Sequence, residues 1–486
     1  MALSRLNRII AVIVLIVAII YGWKCLFESR RPPCYTIDVK YFGLNIPTST
    51  DTEDVSIKPF KIPFDRSQID DMVNRARKTR LYEPQILIDN KHVNKSTYGF
   101  NRQTVEMIRD YLINTYDWKK TVQELNTFDN YKTNIAGLNI HFVRVTQNSR
   151  SNEKKEAILF LHGWPGSFFE YLDVVRLLNS SSNANYDLII PSLPGYGYSD
   201  APLRPGMNPT QIARIMQNLM QRLGHSSYVV CGGDWGAAIG TNMAQLYPGH
   251  VRGLYITVLL PSFTWKHYIQ LALAHYISPS ILLDYDEQEF LIKRFNPFDY
   301  TTYLWQEGGY FHLQATKPDT IGYALNDSPI GLGSFLFVKF YFSYMSFLFL
   351  AAYILEKWSR WSNNPTDIDQ SINSGLDRFT LDQLLSNVVL YWTTETITSS
   401  MRLYFESLSQ LSSGHDDKIL NGPLAASVPV AIINYRNELW YVPRTIARFK
   451  YPNIKLWLYH KTGGHFASIE KPREYVRDIE KFLLQI

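Results

Sequence analysis

Short apolar runs, each followed by a turn rich in glycine or proline, recur in two separate parts of the chain. They cover residues 157–161, 188–190, 228–231, 253–259, 429–433 and 455–459. Helical patterns alternate with them, notably residues 237–246 and a terminal helix from Pro472 to about Leu484. Short buried strands that alternate with helices are typical of a parallel sheet with both faces covered. The pattern therefore predicts a doubly wound α/β sheet built from two pieces of chain.

The long stretch between these two pieces lacks the strand pattern. From about residue 261 to residue 414, helical patterns rich in Tyr, Leu and Phe take over. Open α/β sheets bind ligands at the carboxyl ends of their strands, so we expect this stretch to form a helical cap over that edge. The predicted parts of the chain are residues 1–34 (membrane anchor and flank), 35–150 (an N-terminal arm packing on core and cap), 151–260 (first part of the core), 261–414 (cap) and 415–486 (second part of the core).

The N-terminus carries an uncharged apolar run over residues 9–23, with basic residues on both sides. The run ends in Tyr21 to Lys24, the aromatic and basic edge with which a retained helix meets the membrane interface. A signal peptide would share the length and the basic start. However, Ile20 and Gly22 do not form the pair of small residues that a cleavage site requires. The run predicts an uncleaved transmembrane helix.

Composition adds limits to this picture. With 46% hydrophobic and 19% charged residues, the 486-residue chain has the balance of a folded globular protein. The net charge of +5 comes without a dense Lys/Arg run, so no nucleic-acid partner is expected, although the excess would favour an anionic membrane surface. Three cysteines cannot form a disulfide framework, which favours a cytosolic catalytic domain. The 14% aromatic share fits either an apolar ligand pocket or a large core.

The apolar run at residues 228–231 leads into a Gly-Gly-Asp-Trp-Gly segment around Asp234 and then into a helix. This layout is that of a nucleophile elbow, in which small neighbours allow a sharp turn to expose one side chain. A carboxylate at that position can attack an electrophilic carbon and form an ester. The alternative is an aspartate that only caps the following helix. This segment alone leaves both interpretations open.

Two further polar residues follow in the chain order that this fold requires, which is nucleophile, acid and histidine. Glu438 comes after the run at residues 429–433, and His465 lies in a glycine-rich loop after the run at residues 455–459. His465 would activate water to hydrolyse the ester, and Glu438 would orient the imidazole and stabilise its cation. A structural histidine and a surface carboxylate are the alternatives.

A His-Gly-Trp-Pro segment that contains Trp164 follows the run at residues 157–161. In this fold, the loop after an early strand and the residue after the nucleophile each supply one backbone N–H to an oxyanion hole. Trp164 and Trp235 are therefore the candidate donors, through their main chain. Because an oxyanion forms when water attacks the ester carbonyl, this hole would serve the hydrolytic step.

These motifs belong to a longer set of matches. The chain resembles the microsomal-type epoxide hydrolases, including the juvenile-hormone epoxide hydrolases, along nearly its whole length. Matching stretches include the N-terminal apolar run and residues 57–60, 128–142, 162–167, 191–199, 232–236, 241–246, 314–329, 391–394, 448–452 and 463–467. The resemblance implies an α/β-hydrolase fold with a helical cap, a location in the endoplasmic reticulum membrane, and conversion of apolar epoxides to vicinal diols. It implies no metal and no organic cofactor, and no ligand cluster in the sequence indicates one.

The resemblance also implies two residues that no pattern selects among the 32 tyrosines. By the family's motifs, Tyr310 and Tyr404 in the cap would donate hydrogen bonds to the epoxide oxygen as it leaves. Asp234 would take the epoxide carbon as an ester, and water would then release the diol. The physiological substrate stays open between a terpenoid hormone and foreign arene or alkene oxides.

One segment departs from the family pattern. Residues 333–350 form an aromatic-rich, nearly uncharged insert in the cap, at a point where the family usually runs directly on. This insert would contact the membrane or line the substrate entrance, or it is a translated non-coding stretch. Two rival functions stay open: a haloalkane dehalogenase, which shares the fold and an Asp nucleophile, and a catalytically weak binder of hydrophobic ligands. The paired tyrosines favour the epoxide, because a departing halide needs no proton.

Overall fold

A nine-stranded β-sheet runs through the described part of the chain. In this computed structural model the described residues are 40–44, 53–79, 81, 98–146, 155–180, 185–259, 265–291, 307–326, 347–363, 374–411, 422–439 and 441–486. The predicted membrane anchor, residues 1–34, lies outside them. Among the described helices, none combines the length and the apolar character needed to cross a membrane.

The order of the strands in the sheet is β1-β2-β3-β5-β4-β6-β7-β8-β9. Strands β4 to β9 all pair in parallel, and the residues of β4, β5, β6 and β8 are almost all buried. Each of the six predicted apolar runs falls on one of these strands, which confirms the α/β sheet. The strands are β1 Lys58–Pro59, β2 Asp129–Ile135, β3 Leu138–Thr146, β4 Glu156–Leu161, β5 Tyr186–Pro191, β6 Tyr228–Gly232, β7 Val251–Ile256, β8 Val430–Tyr435 and β9 Ile454–His460.

The first three strands lie in the predicted N-terminal arm and were not among the six predicted runs. Strands β1, β2 and β3 pair antiparallel with one another, and β3 also pairs antiparallel with β5. The β2–β3 hairpin turns at Ala136 and Gly137, which have φ angles of 55° and 79°. A two-residue turn with both φ angles positive matches the twist of a hairpin, but it usually carries Asn-Gly or Asp-Gly. Because Ala-Gly is a weak turn signal, the sequence did not reveal this hairpin.

Helices cover the sheet in two packed pairs. Helix α4 packs against α16, and α5 packs against α6, which also contacts β4, β6 and β7. The helices are α1 Arg66–Lys78, α2 Arg102–Asn114, α3 Trp118–Leu125, α4 Leu172–Ser180, α5 Pro209–Arg222, α6 Asp234–Leu246, α7 Trp265–Tyr276, α8 Tyr285–Leu291, α9 Gly309–Thr316, α10 Pro318–Leu325, α11 Phe347–Ser362, α12 Leu381–Thr394, α13 Ile397–Leu411, α14 Arg444–Lys450, α15 Ala467–Glu470 and α16 Pro472–Leu483.

Helices α7 to α13 come from the segment predicted to form the cap, and no strand interrupts its described residues. Within it, α13 packs on α9 and α10, and α11 packs on α12. Helices α1, α2 and α3, which precede the sheet core in the chain, pack on α11 and α12. Residues 333–346 of the aromatic insert lie outside the described residues, whereas its last four residues begin helix α11. Leu350, at the end of the insert, is buried.

Candidate active site

Asp234 occupies a sharp turn between strand β6 and helix α6. Its φ angle is 48°, a left-handed conformation that non-glycine residues rarely adopt. The turn depends on close backbone approach: a Cβ on Gly236 would lie 1.8 Å from the carbonyl oxygen of Leu161, and one on Gly232 would lie 2.5 Å from the backbone of Gly236. A Cβ on Gly163 would lie 2.3 Å from the Asp234 carboxylate itself. These glycines therefore allow a strained turn to expose the carboxylate.

The Asp234 carboxylate does not cap helix α6. The helix begins at Asp234, and Gly233 is its N-cap residue. Instead, Oδ1 of Asp234 accepts a hydrogen bond from the backbone N–H of Trp164 at 2.8 Å. The N–H of Trp235 lies in the first turn of α6, where backbone N–H groups have no acceptor within the helix. The alternative of a capping aspartate is therefore wrong.

His465 and Glu438 form a buried pair next to Asp234. Nδ1 of His465 lies 2.7 Å from Oε1 of Glu438, and Nε2 lies 3.5 Å from Oδ2 of Asp234. The same Glu438 oxygen accepts a hydrogen bond from the N–H of Leu439 at 2.7 Å. Burial by itself lowers the pKa of His465, but the Glu438 and Asp234 carboxylates outweigh it and hold that pKa well above its usual value. Glu438 is buried, so the alternative of a surface carboxylate is wrong.

The C-terminal end of helix α11 holds the loops that carry this pair. The N–H of His465 donates to the carbonyl oxygen of Trp361 at 2.9 Å, and Asn437, next to Glu438, donates to the carbonyl of Ser362 at 3.0 Å. Glu470 accepts from the hydroxyl of Ser362 at 3.0 Å and from the N–H of Gly464 at 3.1 Å. A cap helix thus fixes the two sheet loops through hydrogen bonds.

A second cap helix, α12, holds the loop that carries Trp164. The Asn387 side chain donates to the carbonyl of Pro165 at 2.7 Å, and the Tyr391 hydroxyl donates to the carbonyl of Gly166 at 2.8 Å. On the opposite side, Nε2 of the buried His162 accepts a hydrogen bond from a backbone N–H at 3.1 Å. Burial lowers the pKa of His162 to about 4, so its ring is neutral and structural. The Trp164 N–H is therefore fixed in direction before any substrate binds.

The two tyrosines named from the resemblance lie beside this centre. Tyr310 is on α9 and Tyr404 on α13, and these helices pack together. The Tyr310 ring stacks on Trp164 with 5.5 Å between centroids, and the Tyr404 ring meets Trp235 edge-on at 4.9 Å. The two tyrosine rings are 6.0 Å apart. Burial raises the pKa of both phenols far above its usual value, so both hydroxyls stay protonated and can donate.

Two buried residues at the site were not predicted. The Trp361 ring lies 5.0 Å from Tyr310 and 4.9 Å from His465, and fills the space between them. Its position in the chain, about a hundred residues before His465, gives no local signal of that contact. The second is Glu170, whose burial raises its pKa from 4.5 to about 8. No local pattern in the sequence singles out Glu170.

The side chains gathered here define the chemistry that the site can perform. Asp234 can act as a nucleophile, the His465–Glu438 pair can accept a proton, and two phenols can donate to a developing negative charge. Among the described residues, no group of three or more His, Cys, Asp or Glu side chains could hold a metal ion. The arrangement fits covalent attack of a carboxylate on an electrophilic carbon, followed by hydrolysis.

The chain is similar to known proteins along most of its length. The family described as epoxide hydrolase N terminus matches residues 57–171, and that described as alpha/beta hydrolase fold matches residues 156–274. Epoxide hydrolase 1 of Sus scrofa is 39% identical over 446 residues, which are 89% of this chain and 89% of that protein. Juvenile hormone epoxide hydrolase of Bombyx mori is 36% identical over 488 residues, which are 99% of this chain and 97% of that protein.

Solved structures are similar as well. The crystal structure of juvenile hormone epoxide hydrolase from the silkworm Bombyx mori has a TM-score of 0.78 at 35% identity, with 91% of this chain and 97% of that chain covered. The structure of Aspergillus niger epoxide hydrolase has a TM-score of 0.68 at 24% identity, with 89% and 97% covered. At 24% identity, the similarity to the Aspergillus niger enzyme is evidence for the fold alone.

Proposed function

The chain belongs to the epoxide hydrolase family, and from that premise we propose that it converts apolar epoxides to vicinal diols through an ester on Asp234. One observation carries the proposal. The Asp234 carboxylate is held by the Trp164 N–H on one oxygen and faces the His465 imidazole with the other. A carboxylate kept in that position by a backbone donor cannot turn away to cap its helix, and it is therefore ready to attack carbon.

In the first half-reaction, Oδ2 of Asp234 attacks an epoxide carbon, because Oδ1 is already bound to the Trp164 N–H. The carbon–oxygen bond of the strained ring breaks, and the electron pair passes to the epoxide oxygen. Tyr310 and Tyr404 both donate hydrogen bonds to that oxygen, and one of them transfers its proton to it and becomes a tyrosinate. Their pKa values are raised by burial, which keeps the protons on the phenols until the alkoxide forms.

In the second half-reaction, water hydrolyses the ester. Esterification removes the Asp234 charge that helps to raise the pKa of His465. The neutral imidazole then takes one proton from the water, and the water oxygen bonds to Cγ of Asp234. The negative charge that develops on Oδ1 is stabilised by the backbone N–H groups of Trp164 and Trp235. Glu438, 2.7 Å from Nδ1 of His465, stabilises the imidazolium that this step creates. The bond between Cγ and Oδ2 then breaks, the departing alkoxide takes the proton from His465, and the diol leaves with Oδ2. Asp234 retains the oxygen from water, and the second proton of the water passes from the new Asp234 carboxyl group to the tyrosinate.

A single turnover in ¹⁸O-water tests the covalent route. With enzyme in excess over styrene oxide, we expect unlabelled diol and incorporation of ¹⁸O into the peptide that contains Asp234, measured by mass spectrometry. The exposed Asp173, on α4, serves as the control position and should stay unlabelled. If the label instead appears in the diol during the first turnover, water attacks the epoxide directly and the ester proposal fails.

The substrate class follows from the apolar character of the site and from the relatives. The rings of Trp164, Trp235, Trp361, Tyr310 and Tyr404 contact one another, and the Trp164 N–H binds the Asp234 carboxylate, so the site favours an apolar epoxide. One relative is named a juvenile hormone epoxide hydrolase and another epoxide hydrolase 1. Measuring kcat/KM for juvenile hormone and for styrene oxide on the same preparation decides between a terpenoid and a foreign epoxide. Halide release from a matched chloroalkane tests the dehalogenase alternative. We expect none, because two phenols that donate hydrogen bonds suit a departing oxygen, whereas a departing halide needs no proton.

We also propose that residues 1–34 anchor the chain in the endoplasmic reticulum membrane with its catalytic domain in the cytosol. The support is the uncharged run at residues 9–23 with its aromatic and basic edge. A chain that lacks residues 1–34 should move from the membrane fraction to the soluble fraction and keep its activity. If it stays with membranes, another segment binds them, and residues 333–350 are the next to delete.

A further inference from the structure

A small cavity adjoins the Asp234 carboxylate on the side of His465. Its volume is about 10 Å³, and its lining includes Asp234, His465 and Glu170. A buried water needs roughly this volume and two to four polar partners. The cavity can therefore hold one water molecule, with the side chains of Asp234, His465 and Glu170 as its polar partners. Two of them, Asp234 and His465, already have roles in the proposed function, whereas Glu170 has none.

Glu170 is held by the loop that follows Trp164. It lies in a short 3₁₀ turn, Phe168–Tyr171, which Ser167 caps by accepting a hydrogen bond from the N–H of Phe169 at 3.4 Å. The N–H of Glu170 donates to the Ser167 carbonyl at 3.1 Å, and the turn packs against helix α15, which follows His465. The side chain is only 8% exposed. Both the backbone and the neighbouring helix therefore direct this carboxyl group inward.

Gly166 provides the space for this carboxyl group. A Cβ at position 166 would lie 2.6 Å from Oε2 of Glu170 and 3.1 Å from its Cδ. Gly163, three residues earlier, provides space for the Asp234 carboxylate in the same way. The two glycines of the loop thus admit one carboxyl group each, on neighbouring sides of the cavity. A side chain at either position would displace the acid that lies against it.

Burial also determines the charge of Glu170. It raises the pKa of this carboxyl group to about 8, and the Asp234 carboxylate acts in the same direction, whereas His465 opposes it. Near pH 7 the group is mostly neutral. A neutral carboxyl group still offers a carbonyl oxygen as a hydrogen-bond acceptor, and it places no charge next to the negative charge that develops on Asp234. An acceptor without charge is what a water-binding group needs at this position.

We propose that Glu170 positions the hydrolytic water of the proposed mechanism by accepting one of its two hydrogens. The other O–H bond of the water breaks, and its proton passes to Nε2 of His465. The water oxygen bonds to Cγ of Asp234, and the carbonyl electron pair moves to Oδ1. When that pair returns, the bond between Cγ and Oδ2 breaks, and the departing alkoxide takes the proton from His465. The second hydrogen of the water stays on the new Asp234 carboxyl group and then passes to the tyrosinate left by ring opening, so Glu170 exchanges no proton in this sequence.

The inference rests on the covalent route and concerns only its second half. Two variants of Glu170 separate the effect of losing the hydrogen-bond acceptor from the effect of changing the side-chain volume. Glu170→Leu keeps a similar volume and removes the acceptor, whereas Glu170→Gln keeps a carbonyl oxygen in the same place. In rapid-quench experiments with styrene oxide, intact-protein mass measures the ester, and its appearance and decay give the two rate constants. The exposed Glu124→Gln serves as the matched control for a substituted glutamate.

With Glu170→Leu, we expect ester decay to slow by about 10- to 100-fold, because a misplaced reactant costs up to about 100-fold. Ester formation should stay within about threefold of the unsubstituted chain, so the ester accumulates during turnover. Glu170→Gln should restore most of the decay rate. Gly166→Ala, which retains Glu170 but displaces its carboxyl group, should also slow decay, and it tests the idea if Glu170→Leu does not fold.

Several results would overturn the inference. Decay at the unsubstituted rate in Glu170→Leu, or in Gly166→Ala if the former does not fold, would remove Glu170 from the hydrolytic step. A parallel loss of ester formation and decay would indicate a structural role only. If Glu170→Gln does not restore the rate of ester decay, hydrolysis does not depend on a hydrogen-bond acceptor at position 170. If no ester forms in any chain, including the unsubstituted one, the covalent route itself fails.

Discussion

The sheet edge and the cap hold their functional groups by different means. At the sheet edge, Asp234 and the His465–Glu438 pair are fixed by hydrogen bonds of 2.7 and 2.8 Å and by glycines that admit close backbone approach. In the cap, Tyr310 and Tyr404 are held mainly by contacts between aromatic rings. The buried hydroxyl of Tyr404 has no hydrogen-bond partner within the part of the chain that the structure describes.

The difference corresponds to the two half-reactions of the proposed mechanism. An unpaired buried hydroxyl is costly, by about 1–3 kcal/mol, and Tyr404 can recover this free energy by donating to the leaving epoxide oxygen. The groups at the sheet edge are already paired, which suits a nucleophile and a base that must keep their geometry through two steps. Substitutions of the cap tyrosines and of His465 should therefore affect different rate constants.

The largest effect is expected at the nucleophile. Asp234→Asn should reduce turnover by at least about 10⁴-fold, because a neutral amide cannot attack the epoxide carbon. Turnover of styrene oxide is measured by diol formation, and Asp173→Asn on α4 is the control, which should behave as the unsubstituted chain does. Turnover that survives in a preparation whose peptide masses show complete Asp234→Asn substitution would mean that attack comes from elsewhere.

The next substitution separates the half-reactions at the sheet edge. His465→Gln should leave ester formation within about tenfold while it slows ester decay by roughly 10³-fold or more, because no base remains to take the proton from water. Adding excess epoxide should therefore give a protein mass that contains one substrate, located on Asp234. An adduct at another residue, or no adduct with loss of epoxide, would contradict this separation. The matched control is His250→Gln, in the turn just before strand β7, at the edge of the sheet opposite the site.

The cap substitutions should have the opposite effect. Tyr310→Phe and Tyr404→Phe should each slow ester formation by about 10²-fold, since one donor to the developing charge is lost, and ester decay should change little. Tyr353→Phe is a matched control, because its hydroxyl already bonds to Gln314 at 3.2 Å in the same group of rings. Equal losses in all three variants would show that ring packing, and not proton donation, accounts for the role of the cap tyrosines.

The smallest effect is expected where the two regions meet, at Glu470. Burial raises its pKa from 4.5 to about 7, so the folded chain retains a proton that the unfolded chain loses between these pH values. Folding stability of the unsubstituted chain therefore falls as pH rises through this window. Glu470→Gln does not titrate, so its stability advantage should grow from about pH 4.5 to about pH 7, reach roughly 3 kcal/mol and then stay level. Thermal unfolding of both chains across pH 4.5–8 measures the difference, and a constant difference would place a charged Glu470 at this junction.

Local patterns in the sequence predicted the strands around the site and three of its five candidate side chains. The apolar runs and their turns identified six strands, and the chain order after Asp234 selected Glu438 and His465, which the structure brings within hydrogen-bond distance of each other. Tyr310 and Tyr404 came from resemblance alone, because a tyrosine on an aromatic helix looks the same whether or not it faces a site. The functional roles of all five residues stay predictions until the substitutions are made.

The sequence by itself determined that a strand would end just before Asp234, that this carboxylate would lie in the turn after the strand, and that a histidine would come after the last strand, because each depends on neighbours within a few residues. Only the tertiary structure decided whether Asp234 caps its helix. Asp234 does not cap the helix, because its carboxylate accepts a hydrogen bond from the Trp164 N–H and lies against Gly163, both of which belong to the loop of another strand. The positions of Trp361 and Glu170 next to His465 and Asp234 were decided in the same way. These contacts join segments far apart in the chain, and such packing leaves no periodic signal in the sequence.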